Sequence, residues 1–341
     1  EAEEAIKTAR QHVADLIHAK SEEIVFTSGA TEAINLALKG VFENYKQIGN
    51  QIITVATEHK AVLDTCKYLE SQGAEITYLS VDRNGLINLE QLKSAITDKT
   101  ILVCVMYANN ETGVIQPIHE ISKITHTQNA LFMTDATQAV GKITVDVERD
   151  GIDILACSAH KFYGPNGVGA LFVKSRFPRI RVLPQMHGGG HEKGFRSGTL
   201  NTPAIVGFGK ACEIAKNEMT TEEKRLNALR GELETGLKRI EGCYIHADKA
   251  YRLPHIINFY IPGVDAEALI IQIRDTIAVS SGSACTSAEV FPSHVLMAMY
   301  DDDDIAYSSI RISIGNRTQL SDVNCIISKL SYARKKINDF Y

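Results

Sequence analysis

Apolar side chains recur at spacings of three and four through the first segment, where Ala5, Ile6, Ala9, Val13, Ala14 and Ile17 line one face of an amphipathic helix. No N-cap signal precedes that helix. Beyond it, short runs rich in β-branched residues alternate with helical periodicity. The pattern predicts strands over 23–27, Gln51–Val55, Glu75–Leu79, 101–108, 130–134 and 153–156, with helices over 31–38, 61–71 and 118–128 between them. Strands that are apolar at nearly every position are buried on both faces. Their alternation with helices defines an α/β fold with a mostly parallel central sheet flanked by helices.

After Gly164 the pattern changes. A strand over 168–173 is followed by a Gly-rich stretch over 187–199 and a long helical segment over 203–240. The domain boundary is expected inside that helix, near residue 220, giving a large domain over 1–219 and a smaller α+β domain over 220–341. The smaller part mixes strands over Ile256–Tyr260, 277–280 and 308–313 with helices over 266–274, 293–299 and 321–338.

Composition narrows the function classes. The chain has 341 residues, 44% of them hydrophobic, enough for one large core or two ordinary ones. Acidic groups outnumber basic ones by 41 to 36, and only Asp301, Asp302, Asp303 and Asp304 form a block of one sign. This balance argues against nucleic acid and anionic membrane as partners. The longest apolar runs are strand-sized, far short of the ~18 to 20 residues of a membrane span. Seven cysteines at irregular spacing, without a CxxC pair, make neither a disulfide framework nor a zinc motif and point to a reducing compartment. A zinc site on His187 and His191 is the weakest reading, because both lie on a Gly-Gly-Gly loop and not on a helix face.

Ligands of parallel α/β sheets sit at the carboxyl ends of the strands, so those ends carry the candidate chemistry. The first strand runs into Ser28-Gly29-Ala30-Thr31-Glu32, a small turn opening a helix, whose free N–H groups and hydroxyl suit an anion; alone, it reads more readily as a Ser/Thr helix cap. The strand over 130–134 ends in Asp135, and the strand over 153–156 runs into Cys157-Ser158-Ala159-His160-Lys161. Alone, the aspartate reads as a cap and the lysine as a solvent-facing side chain. Together, a phosphate cup, a carboxylate and a lysine are the set pyridoxal phosphate requires: a helix N-terminus for its phosphate, an aspartate for its ring nitrogen, an amine for its aldehyde. His59, after the strand Gln51–Val55, could lie flat on the ring, or serve as a cap or core histidine. Cys285, in the small-residue run Ser280-Ser281-Gly282-Ser283-Ala284-Cys285-Thr286-Ser287, is the candidate nucleophile, whereas Cys104 and Cys157 lie in apolar runs and read as core. Arg311 alternates with Ile310 and Ile312 on a half-buried strand, where its planar fork suits a carboxylate or an internal salt bridge.

These stretches, in this order, resemble the cysteine desulfurases of the NifS/IscS type, pyridoxal-phosphate enzymes of fold type I in the class V aminotransferase group. The matching segments are TSGATEAINLALKG, TEHKAVLDTC, NNETGV, TDATQAVGK, SAHKFYGPNGVGAL, MHGGGHEKGFRSGTL, VSSGSACTSA and SSIRISIG. They run the length of the chain. The resemblance implies that Lys161 forms the Schiff base, Asp135 pairs with the ring nitrogen, His59 stacks on the ring and Gln138 bonds its hydroxyl. It further implies that Ala30 through its backbone, Thr31, Ser158 and His160 hold the phosphate, with Thr199 reaching the phosphate of a neighbouring subunit. Asn110 and Arg311 would grip the substrate carboxylate, and Cys285 would receive the sulfur.

The implied reaction converts L-cysteine to L-alanine and leaves a persulfide on Cys285 for iron–sulfur cluster assembly or the thiolation of tRNA and cofactors. The implied partners are a second copy of the chain, in a homodimer with shared active sites, and a sulfur acceptor such as an iron–sulfur scaffold. Nucleic acid and membrane are not direct partners. A cytoplasmic location is expected, with the mitochondrial matrix open. A further segment ahead of Glu1, with a YLDxxATTP-like stretch bordering the site, and a tail beyond Tyr341 are expected from the family, which also commonly has lysine at Asn166 and histidine at Tyr307. Two alternatives stand beside this reading: a selenocysteine lyase or aminotransferase of the same group, and a truncated, non-catalytic sulfur carrier or scaffold.

Overall fold

The computed structural model describes residues 1–175, 179–281 and 292–338. They form two compact units: unit 1 comprises Glu1–Leu79, Ile87–Ala108 and Gln116–Met219, and unit 2 comprises Ser80–Leu86, Asn109–Ile115 and the chain from Thr220 onward. The two short excursions into unit 2 have no marker in the linear pattern.

Unit 1 runs through α1 (Ala2–Leu16), β1 (Ile24–Thr27), α2 (Ala30–Tyr45), β2 (Gln51–Val55), α3 (Lys60–Glu70), β3 (Glu75–Leu79), α4 (Leu89–Ala95), β4 (Thr100–Cys104), α5 (Ile118–His126), β5 (Leu131–Asp135), β6 (Ile154–Ser158), β7 (Gly169–Val173) and the first part of α6 (Thr202–Leu237). Its seven-stranded sheet has the order β1-β7-β6-β5-β4-β2-β3. β7 runs antiparallel to β1 and β6, and the remaining pairs are parallel. A short connection after β6 suffices for an antiparallel neighbour, whereas each parallel pair needs a crossover. Ile34 and Leu38 of α2 are fully buried in one cluster with Ile52, Leu102, Met133, Ile154 and Leu171 of five strands. Each such side chain contributes about 1.5 to 3 kcal/mol through burial.

Two local features differ from the linear pattern. The apolar run after β4 leaves the ladder at Cys104, although Val105 and Tyr107 still donate N–H to Met133 O and Asp135 O at 3.1 and 2.9 Å. Its apolarity reflects burial at the carboxyl edge of the sheet and not strand pairing. α4, absent from the predicted elements, is too short for a clear period; the Asn88 side chain starts it by accepting N–H bonds from Glu90 and Gln91.

Unit 2 contains the rest of α6, then β8 (Tyr244–Ile245), β9 (Ile256–Tyr260), α7 (Ala266–Ile273), β10 (Ser280–Ser281), α8 (His294–Tyr300), α9 (Asp303–Tyr307), β11 (Ser309–Ser313) and α10 (Leu320–Asn338). Its sheet, β10-β11-β9-β8, is antiparallel throughout. Leu233 and Leu237 of α6, Ile257 and Phe259 of β9, Ile310 and Ile312 of β11 and Leu330 of α10 share its core. Among the described residues, no helix is long and apolar enough to cross a membrane.

Candidate active site

The first strand end is built for an anion. Thr27 closes β1 and donates its hydroxyl to Gly29 O at 3.0 Å. Gly29 then caps α2 at φ +154°, with no side chain closing the helix N-terminus. The amides of the first turn therefore remain available. A Cβ on Gly169 would stand 2.7 Å from Gly29 Cα, and one on Gly29 would lie 3.7 Å from Ser158 Oγ. Backbone thus packs on backbone at this corner, with the Ser158 hydroxyl bordering a cradle that side chains would crowd. Ala30 and Thr31, the first two residues of α2, complete it.

Charge at this corner is balanced. Glu32 accepts the Ser28 N–H at 2.7 Å and is forked by Arg196, Nε to Oε1 at 2.8 Å and Nη2 to Oε2 at 3.3 Å. Partial burial pushes the Glu32 carboxyl up, but the Arg196 and Ser28 hydrogen bonds outweigh it and hold the group below the usual carboxylate range. With Glu32 neutralised by Arg196, the positive field of the helix N-terminus is preserved. The same bond ties the segment carrying the exposed Thr199, three residues beyond Arg196, to the first turn of α2.

The ends of β5 and β6 are joined by Ala136 N–H donating to Ala156 O at 3.0 Å. Asp135, buried at the tip of β5, accepts Thr137 N–H at 3.0 Å, and Gln138 follows half-buried. Ser158 closes β6 with its Oγ 2.8 Å from His160 Nδ1. His160 and Lys161 are exposed on the single 3₁₀ turn Ala159–Phe162. Desolvation first, and the positive charge of Lys161 second, lower the His160 imidazole below its ordinary range. A neutral His160 with a hydroxyl at Nδ1 keeps hydrogen-bonding capacity at its other nitrogen.

His59 is exposed and caps α3, accepting the Ala61 N–H on Nδ1 at 3.1 Å, which assigns the ring proton to Nε2. It lines an open groove of about 360 Å³ together with Thr31, so the structure brings these two expected site residues to one surface. Its neighbour Glu58 went unnoticed in the sequence. Glu58 is fully buried and accepts Met106 N–H at 2.5 Å. Burial, then the negative charge of Asp135, push its carboxyl well above the ordinary range against the opposing effect of the Met106 N–H.

The remaining expected residues belong to unit 2. Arg311, in the middle of β11, donates Nη1 to Asn110 O at 2.9 Å. Among the described residues its buried Nε has no partner, a donor poised for an acceptor such as a carboxylate. Cys285 lies outside the described residues. The described cysteines are free, and burial pushes Cys66 and Cys157 up to about 12, so neither is a nucleophile at neutral pH. Among the described residues, no three His, Cys, Asp or Glu side chains gather to hold a metal.

Comparison with known proteins gives this arrangement a family. The Aminotransferase class-V model matches residues 1–326. "Cysteine desulfurase IscS" of Histophilus somni (strain 2336) is 52% identical over 339 residues, 99% of this chain and 83% of that protein. The protein of the same name from Escherichia coli O139:H28 is 48% identical over the same shares. Among solved structures, a "NIFS-LIKE PROTEIN" superposes with a TM-score of 0.90 at 36% identity, covering 100% of this chain and 89% of the other. A NifS-like protein from Rickettsia africae follows at 0.87 and 33%, over 98% and 89%. With its mostly parallel sheet, its anion cradle and its strand-end lysine and aspartate, the chain belongs to the class-V aminotransferase family, among relatives named as cysteine desulfurases.

Proposed function

We propose that this protein is a pyridoxal-phosphate-dependent cysteine desulfurase that converts L-cysteine to L-alanine and retains the sulfur as a persulfide on Cys285. The observation that carries the reading is the convergence in unit 1 of an uncapped helix N-terminus, a buried strand-end aspartate and an exposed lysine on the next strand's exit turn. The cradle cleared by Gly29 and Gly169 fits a phosphate, and Asp135 fits a ring N–H donor.

In this reading the amides of Ala30 and Thr31, the Ser158 hydroxyl and His160 hold the phosphate, with Thr199 serving a neighbouring copy in a homodimer. Asp135 would accept the ring N–H, Gln138 would bond the ring hydroxyl, and His59 would stack on the ring. When bound, the cofactor supplies an electron sink that makes the α-proton of the substrate removable. Lys161 would hold the cofactor through its amine and, with that amine free, would take the α-proton and later return it to the product. Asn110 and Arg311 orient the substrate carboxylate. The Cys285 thiolate attacks the substrate sulfur: an S–S bond forms, the C–S bond breaks, and its electron pair stays with the carbon skeleton, which is protonated and leaves as L-alanine. The persulfide then passes to an acceptor protein, such as an iron–sulfur scaffold, in the cytoplasm.

Cys285→Ser separates these roles. The variant is expected to keep the visible colour of the bound cofactor while alanine release from L-cysteine falls to background. Normal turnover in Cys285→Ser would overturn the assignment of Cys285, and strong transamination of keto acids by the wild type would favour an aminotransferase instead.

A further inference from the structure

Asn258 is a fully buried polar side chain in an otherwise apolar strand. It sits in β9 between Ile257 and Phe259, both fully buried in the core of unit 2. In the ladder it stands directly opposite Arg311 of β11, so the two side chains emerge on the same face. Both grip one loop by consecutive carbonyls: Asn258 Nδ2 donates to Glu111 O at 3.1 Å, and Arg311 Nη1 donates to Asn110 O at 2.9 Å.

That loop is stiff. The Asn109 carboxamide oxygen accepts the N–H groups of Glu111 and Thr112 at 2.8 and 2.9 Å. Gly113 follows at φ +77°, where a Cβ would crowd Ile256 Cβ at 3.2 Å. Glu111 Oε2 accepts the hydroxyl of Ser293, the N-cap of α8, at 2.5 Å. A fixed loop gives Arg311 a fixed point of attachment. On this register pair the acceptor Asn258 Oδ1 and the donor Arg311 Nε are both buried and have no hydrogen-bond partner among the described residues. A buried amide with an unused acceptor is costly and calls for a reason beyond packing.

We propose that Asn258 is a positioning residue for Arg311. By fixing the Glu111 carbonyl, and with it the adjoining Asn110 carbonyl that Arg311 holds, it sets the plane in which the guanidinium offers Nε to a substrate carboxylate. The inference rests on the reading of Arg311 as the carboxylate-binding group.

The test uses the enzyme loaded with pyridoxal phosphate and two thiol amines, L-cysteine and cysteamine, which lacks the carboxylate. Asn258→Ala is expected to raise KM for L-cysteine about tenfold, with kcat within about threefold and KM for cysteamine unchanged. Calorimetric binding of L-alanine is expected to weaken by a similar factor. Should Asn258→Ala fail to fold, Asn258→Asp keeps the shape and puts a competing carboxylate opposite Arg311, and the same selective rise in KM is expected. An unchanged KM for L-cysteine, or an equal rise for both thiols, overturns the role of Asn258. Arg311→Ala is the control: if it retains the wild-type preference for L-cysteine over cysteamine, the reading of Arg311 itself is overturned.

Discussion

In the sheet of unit 1 the groups with binding capacity lie at the strand ends, Asp135 and Ser158 being the last residues of β5 and β6, while β2, β4, β5, β6 and β7 are buried at every position. In the sheet of unit 2 they lie within the strands, Asn258 in β9 and Arg311 in β11. The ends of a parallel sheet collect polar groups without disturbing its core, because the tips are where chains leave the ladder. A polar group in mid-strand must be satisfied by other side chains or carbonyls. The same demand falls on the buried His246, which directly follows β8: its Nδ1 and Nε2 lie 2.9 and 2.8 Å from Tyr300 OH and Ser309 Oγ, and its ring stacks on Tyr260 at 4.9 Å. Chemistry and stability should therefore separate in unit 1 and coincide in unit 2.

The sharpest way to break that contrast is Lys161→Ala. Loss of the amine is expected to cut alanine release by at least about 10³-fold, while the melting temperature of the apoprotein moves little, since Lys161 is exposed. A large loss of stability would show that the strand-end turn is structural after all. Arg196→Met should fall between the two behaviours. It leaves Glu32, itself partly buried and bonded to Ser28, without its cation. A cost of about 1 to 2 kcal/mol in urea unfolding and a weakened hold on pyridoxal phosphate are expected.

A third experiment probes unit 2 alone. Burial lowers the His246 imidazole to about 3. The unfolded chain takes up that proton near the ordinary value of about 6.5, so the folded state binds fewer protons and loses stability as pH falls from about 6.5 toward 3. At pH 5 the loss is on the order of 2 kcal/mol. His246→Gln should start less stable at pH 7 yet show a flatter decline of the urea midpoint on acidification. An unchanged slope would place the acid sensitivity elsewhere. The smallest effect is expected from Glu58→Gln. Because burial pushes the Glu58 carboxyl toward its uncharged form, an isosteric amide that can still accept the Met106 N–H should leave stability within about 1 kcal/mol and turnover within a few-fold.

How much of this was legible in the sequence follows from the range of the interactions. The strand-end positions of Ala30, Asp135 and Lys161 came from local alternation, since a strand followed by a break locates its own tip. The antiparallel course of β7 was not legible, nor were two-residue strands such as β8. Glu32 announced itself as a first-turn acid, but its partner Arg196 lies 164 residues away and is brought to it only by the fold. Glu58 carried no signal of its own in the sequence, and its burial arises from the sheet order that sets β4 between β2 and β5. Asn258 offered no signal at all: an asparagine in an apolar run looks like an interruption until its register partner proves to be Arg311.

The most direct test of the proposed desulfurase is a single-turnover reaction of the purified protein, loaded with pyridoxal phosphate and mixed with L-cysteine, followed by visible absorbance and by assay of alanine and protein-bound persulfide. The expected result is an immediate change in the cofactor band, with alanine and a persulfide on Cys285 appearing in equal amounts. A cofactor band that does not respond to L-cysteine, or alanine formed without a persulfide on Cys285, would contradict it.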